Sequence, residues 1–311
     1  MILRLEVNGL KTGIKPILWS LLALAMALFI VVPGLNVLAL LFSLVPYTLL
    51  YTQVDRKSFA VHVIVIMVVG CVIIDPFVFL STSLLALIPS IYMGHLYKKG
   101  TPSTMIVPKM TGIMLVLLML ELLIIQNVLG ISLLSDIRKI LIESMNNAAS
   151  LATLPIAWNN EIAENFVKLF LDMIPFIFLL IAFGIVVCSH YVARKLATME
   201  GVVVPPFPAA KDWRLPRSIL FIYLLVYIMQ MMVDPLDTSF LTVALANLVP
   251  ALSFLFSIQA VGFFYYLAHN RKWPKIIPVL IAIPILVLPF FSIIGILDAA
   301  FPLRKYFSKQ T

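Results

Sequence analysis

Nine apolar runs, most of them close to a membrane's thickness in helical length, follow one another from residue 17 to residue 297. An α-helix rises 1.5 Å per residue, so about 20 apolar residues cross a hydrocarbon core of ~30 Å. The runs are 17–32, 35–52, 58–74, 77–97, 104–129, 168–193, 216–233, 239–268 and 274–297, each bounded by charge or by Pro and Gly. A chain that is 62% hydrophobic and 12% charged, with a mean hydropathy of +1.10, is too apolar for a soluble α/β domain. With 12 Gly and 2 Cys it is neither a collagen nor a disulfide scaffold. Cys71 and Cys188 fall inside apolar runs and read as packing residues. The expected fold is all-α, a polytopic bundle of about nine transmembrane helices held in a lipid bilayer.

Lys and Arg alone orient such a bundle, because the positive-inside bias is not a net-charge rule. One side collects 16 of the 22 basic residues, among them Lys15, Arg56, Lys57, Lys98, Lys99, Arg194, Lys211, Arg214, Arg217, Arg271 and Lys275. That side is placed in the cytoplasm, and the N-terminus with it. The opposite turns, Pro33-Gly34, Asp75-Pro76 and Asp234-Pro235-Leu236-Asp237, carry no basic residue. The first two runs are short and are read as a hairpin, the rival being one span followed by a re-entrant segment. An odd number of spans puts Arg304, Lys305 and Lys309 outside and Asp298 at the outer rim with Asp75, Asp172 and Asp237. The alternative is that the last run doubles back at Pro284 or Pro289, against which its 24 residues look too few for two crossings. The net charge of +8 is accounted for by a basic belt facing anionic lipid, so no nucleic acid is invoked as a partner. The polar first 15 residues and the lack of a cleavage pattern argue against a removed signal peptide.

Two stretches outside the runs have an organisation of their own. Over 130–167, Leu134, Ile137, Leu141, Met145 and Ala148 recur at helical spacing with charges between them, which predicts an amphipathic surface helix. Over 196–217, Val204-Pro205-Pro206-Phe207-Pro208 forbids helix and predicts an extended cytoplasmic strip. The strip divides a six-span part, 1–195, from a three-span part, 218–311.

No metalloprotease, nucleophile-elbow, P-loop or Cys-x-x-Cys pattern is present, so an enzyme is not expected, nor a cofactor. His62, His95, His190 and His269 lie on different segments and share no ligand spacing, so no metal site is expected. Ionisable groups at membrane depth are better pointers, because an unpaired charge at a helix centre costs roughly 3 kcal/mol. Glu121 is the deepest of them; it reads as a substrate or proton contact, or as a hydrogen-bonded link between helices. Tyr223, Tyr227, Gln230 and Asp234 recur at steps of four, three and four, a polar stripe that serves either as a ligand wall or as interhelical bonding. Ala23 and Ala27 put two small side chains on one helical face, where another helix could approach closely.

The second half resembles the YybS-like family of bacterial membrane proteins. The resemblance rests on Pro206-Phe207 with Trp213-Arg214-Leu215-Pro216-Arg217, on Asn247 through Ile258-Gln259-Ala260, and on Gly295-Ile296-Leu297-Asp298 followed by Arg304-Lys305. Ala260 departs from the glycine expected after the glutamine, which bears on close helix packing there. The first half looks like the substrate-binding subunits of energy-coupling-factor vitamin transporters, in its six spans, its inside N-terminus and the ending Ile91 to Lys99. In those subunits an Ala-x-x-x-Ala docks the membrane coupling subunit, a role this resemblance implies for Ala23 and Ala27. The implied function is a substrate-binding, transporter-like subunit of the bacterial inner membrane, with a small molecule held near Glu121, Asp172, Tyr227, Gln230, Asp234 and Asn247. The competing class is a protein-binding membrane scaffold of the MreD kind.

Overall fold

The computed structural model describes residues 2–127, 130, 132–151, 158–301 and 303–308. Helix is the regular structure throughout them. In chain order the helices are α1 (Ile2–Phe29), α2 (Asn36–Phe42), α3 (Leu44–Gln53), α4 (Arg56–Ile73), α5 (Pro76–Lys98), α6 (Ser103–Asn127), α7 (Leu133–Leu151), α8 (Asn160–Asp172), α9 (Ile174–Met199), α10 (Arg217–Met231), α11 (Phe240–Asn270), α12 (Ile276–Val287), α13 (Ser292–Ala300) and α14 (Leu303–Ser308). Positions 128 and 129, at the end of the fifth run, and 309, in the basic tail, lie outside the described residues.

Six of these segments are long and apolar enough to cross a membrane, counting α2 with α3 as one, and α12 with α13 would make a seventh if that bent pair were one span. Gly13–Phe29 and Arg217–Met231 are shorter apolar helices. Each of the nine runs is helical over most of its described residues, and the protein is an all-α, multi-pass membrane protein. The run expected over 168–193 begins later: Met173 interrupts it, and 168–172 belong to the amphipathic α8, which forms a hairpin with α7.

Local sequence sets the boundaries. Asp55 caps α4 through the backbone N–H groups of Lys57 and Ser58, and these bonds, led by the Ser58 hydroxyl, hold its carboxyl below the usual carboxylate range. Asp75 caps α5 in the same way, with Pro76 in the first turn, where a missing N–H costs nothing. The charge-poor Asp-Pro turn is thus a helix start. α5 ends at Gly100, whose φ of +63° lets Thr101 N–H reach back to the Leu96 carbonyl.

The described residues pack as two compact units, Met1–Leu129 with Phe178–Pro206, and Gly130–Ile177 with Phe207–Thr311. In the first, α3 lies against α5, and Ser90 gives its hydroxyl to the Leu44 carbonyl at 3.0 Å. Ala23 and Ala27 are 1% and 4% exposed in the core that α1 forms with α3 and α4. The small-residue face is therefore covered by the chain's own helices and is not open to a partner.

In the second unit the last apolar run doubles back. α12 leaves the C-terminal end of α11 and runs back beside it until Ile285 meets Ala260 and Val261. The chain bends by 112° around Leu288 to Phe291. α13 then returns along the same helix, with Gly295 on Phe256 and Asp298 on Gln259, and beyond it the Arg304 carbonyl accepts from Tyr266 Oη. Limbs of 12 and 9 residues reach only ~18 and ~14 Å, well short of a ~30 Å core. Arg304 donates to the carbonyls of Lys211 and Trp213. Arg304 and Asp298 therefore sit on the side of the Pro-rich strip, not on the opposite rim where an odd span count placed them. In a background with Cys71 and Cys188 replaced by Ala, a cysteine at Tyr306, which is 68% exposed, should react with an impermeant thiol reagent from the same side as one at Asp212. Labelling together with a cysteine at Leu236 would restore a through-going last span.

Candidate functional site

The most highly connected polar cluster lies where α11, α13, α14 and the strip meet. Two glycines make room for it. A Cβ on Gly295 would stand 1.8 Å from the Phe256 carbonyl oxygen, and one on Gly262 would stand 3.1 Å from the Ala210 oxygen. The helix and the strip thus both lie against α11 at backbone distance. Ala260 is fully buried there, so the position where a glycine was expected does not prevent the close approach; Gly295 supplies it from the other helix.

Within this contact the Asp298 and Arg304 side chains are 2% and 4% exposed, and Nη2 lies 2.7 Å from Oδ2. Arg304 Nε donates to both carboxylate oxygens at 3.1 Å, Nη1 to the Lys211 carbonyl at 2.6 Å and Nη2 to the Trp213 carbonyl at 2.8 Å. Gln259 completes the cluster from α11: its amide donates to Asp298 Oδ2 and its oxygen accepts Leu215 N–H at 2.8 Å. The guanidinium lies 5.3 Å from the Tyr266 ring centre. A buried ion pair is weak as a source of stability, since desolvation offsets most of its attraction; its best-attested role is to fix one arrangement. Here it fixes the strip against the returning hairpin. In the sequence these residues carry the family resemblance but do not stand out as a site. What joins them is long range: Gln259 and Asp298 are 39 positions apart.

The residues proposed from sequence are distributed over both units. Glu121 is in the first, where it accepts a hydrogen bond from Ser81 and so joins α6 to α5. Asp172 and Asn247 meet in the second: Asn247 Nδ2 donates to the carbonyls of Asp172 and Val243, each at 2.7 Å, and Oδ1 accepts Phe176 N–H at 2.8 Å. Asn247 thereby staples the α8–α9 break to α11, and both its amide protons are engaged by backbone. The Asp172 carboxylate pairs with Lys168 at 2.9 Å. Nearby, the Ser239 hydroxyl holds the Asp237 carboxyl below its usual range. In the polar stripe Tyr223 packs on Phe256, Tyr227 is 44% exposed, and the exposed Asp234 accepts Leu236 N–H. Gln230 makes no side-chain hydrogen bond among the described residues.

The first unit holds one further buried network. His190 Nδ1 is 2.8 Å from Tyr97 Oη and Nε2 is 2.8 Å from Ser103 Oγ, which in turn bonds the Pro205 carbonyl at 2.8 Å. Ser103 is 0% and His190 3% exposed, so this serine–histidine contact is closed within the unit's interior. Its effect is to pin Pro205 to the bundle. Among the described residues no three His, Cys, Asp or Glu side chains come together as metal ligands.

Comparison with known proteins bears on the whole chain. The family model described as "Predicted membrane protein (DUF2232)" matches residues 20–299. The chain belongs to this family. The match takes in the strip, Gln259, Gly295 and Asp298 and ends before Arg304. The chain is also similar to "Uncharacterized protein YybS" of Bacillus subtilis (strain 168), 24% identical over 301 residues that cover 93% of this chain and 96% of that protein. This accords with the YybS-like resemblance of the second half and extends it over most of the length. No solved structure matches.

Proposed function

We propose that this is a non-enzymatic, transporter-like subunit of the bacterial inner membrane that binds a small molecule. The observation that carries the reading is the helix pair α12–α13, bent by 112° against α11 and locked by a buried Arg–Asp pair. Broken helices recur in membrane transporters because their half-helix ends and freed carbonyls hold substrates and ions near the middle of the bilayer. Here Pro289 has no N–H to give the Ile285 carbonyl, and Pro284 has none for Leu280. The reading moves the binding region from Glu121, which Ser81 engages, and Asn247, which the backbone engages, to the hairpin.

The test is mass spectrometry of small molecules that co-purify with the protein, compared between wild type and Pro289→Ala, which restores an N–H at the break. Wild type should retain a defined polar molecule, and the folded Pro289→Ala protein should lose it. Identical small-molecule profiles, or none beyond lipid in the wild type, would remove the transporter-like reading and leave the scaffold class.

A further inference from the structure

Along the outside of the first unit, α1 and α4 form a groove of about 380 Å³, walled by Ile17 and Leu21 on one side and Val61 and Val65 on the other. These four side chains are 54%, 56%, 61% and 55% exposed, so the groove opens away from the core, toward where lipid chains lie. Its polar members are Ser20 and His62, joined by a 2.9 Å contact between Oγ and Nδ1. Ser20 also bonds the Pro16 carbonyl, which leaves Nε2 as the second polar atom of the imidazole ring.

The charge at one end is what selects an occupant. Lys57 stands four residues before Val61 and eight before Val65, on the same face of α4. It is exposed, and among the described residues its ammonium makes no ion pair or hydrogen bond. Arg56, also exposed, stands about 100° around α4 from that face and close enough to Lys98 for the two charges to repel. Two other charges nearby along the chain are committed elsewhere. Lys15 of α1 is paired with Glu200 at 2.7 Å, and the Asp55 carboxylate is turned into the α4 N-terminus, where it accepts from the backbone of Lys57 and Ser58 and from the Ser58 hydroxyl. An apolar channel whose α4 wall continues, one turn on, to an exposed lysine matches a molecule with a hydrocarbon tail and an anionic head. We propose that the α1–α4 groove binds one anionic phospholipid, with an acyl chain between the two helices and the phosphate on Lys57. The inference is independent of any substrate that the C-terminal hairpin binds.

Native mass spectrometry of the delipidated full chain, titrated with phosphatidylglycerol or phosphatidylcholine, tests it. Phosphatidylglycerol should bind first and at one per chain. Lys57→Gln should weaken it roughly fivefold, the worth of one basic residue at an anionic surface, and should leave phosphatidylcholine unchanged. Lys57→Arg should preserve the preference. Val65→Phe, which fills the groove from an exposed position, should weaken both lipids. Melting of each variant in lipid-free detergent checks that the fold is intact. Equal binding of the two lipids, an unchanged Lys57→Gln protein, or undiminished binding by Val65→Phe would each overturn the site.

Discussion

Alanine at position 295 should destabilise the protein more than a single methyl group does at an ordinary core position. The added carbon would stand 1.8 Å from the Phe256 oxygen, 2.7 Å from its carbonyl carbon and 3.0 Å from the Ala260 nitrogen, all of them backbone atoms of α11. A side chain could rotate away from such a contact; a helix backbone cannot, so α13 must move off α11 and take Asp298 with it. Overpacking usually costs ~1–3 kcal/mol, and this site should lie at or above the top of that range. Gly112→Ala is the control. Gly112 is inside α6 with nothing within 4 Å of its Cβ position, so there alanine should stabilise by roughly 0.5–1 kcal/mol. Thermal unfolding of both variants in one detergent measures the contrast. A Gly295→Ala protein as stable as the wild type would mean that α13 does not approach α11 at backbone distance.

That contact also marks where the sequence stops being readable. Apolar length gives the helices because that signal is local, and the caps that the fold shows at Asp55, Asp75 and Ser239 are local too, each bonding the first turn that follows it. The direction of the chain end is not local. Counting spans put Arg304 on the far side, since hydropathy treats 274–297 as one run; the bend at Leu288 becomes decisive only once both limbs are seen beside the same half of α11. Proline was the available sign, at 284 and 289. Ala23 and Ala27 illustrate the opposite difficulty. Their spacing correctly marks a face for close helix contact, but spacing does not say whose helix arrives, and α3 and α4 of the same chain do. Asn247 likewise stands out as an amide in an apolar run, yet its partners are backbone groups 71 and 75 positions away as well as one on its own helix. Polar residues in spans are conspicuous in a sequence, whereas their partners are known only from the fold.

The buried pair offers the sharper test, because its members should behave differently alone and together. Arg304→Met leaves Asp298 in a site where its carboxylate is 2% exposed with only Gln259 to bond it, and strips the Lys211 and Trp213 carbonyls of their donor. Removing one partner of such a pair costs ~3–5 kcal/mol, and this variant should lie at the upper end because it loses the strip as well. Asp298→Leu leaves the guanidinium buried but still bonded to both carbonyls, so it should cost less. The double variant Arg304→Met, Asp298→Leu buries no charge. What remains is two carbonyls and one amide without partners, at ~1–3 kcal/mol for each group that stays dry, less for any that water reaches. The double variant should therefore be more stable than Arg304→Met alone, and the difference measured in a double-mutant cycle isolates the ion pair. Strictly additive losses would show that the two charges do not depend on each other. If the pair fixes register, the rescued protein should still lose its grip on the strip: a cysteine at Asp212 should react faster in the double variant than in wild type although the melting points have drawn together. Recovery of stability with unchanged reactivity at that position would assign the pair to stability alone and leave Gln259, through its bond to Leu215, as the group that holds the strip.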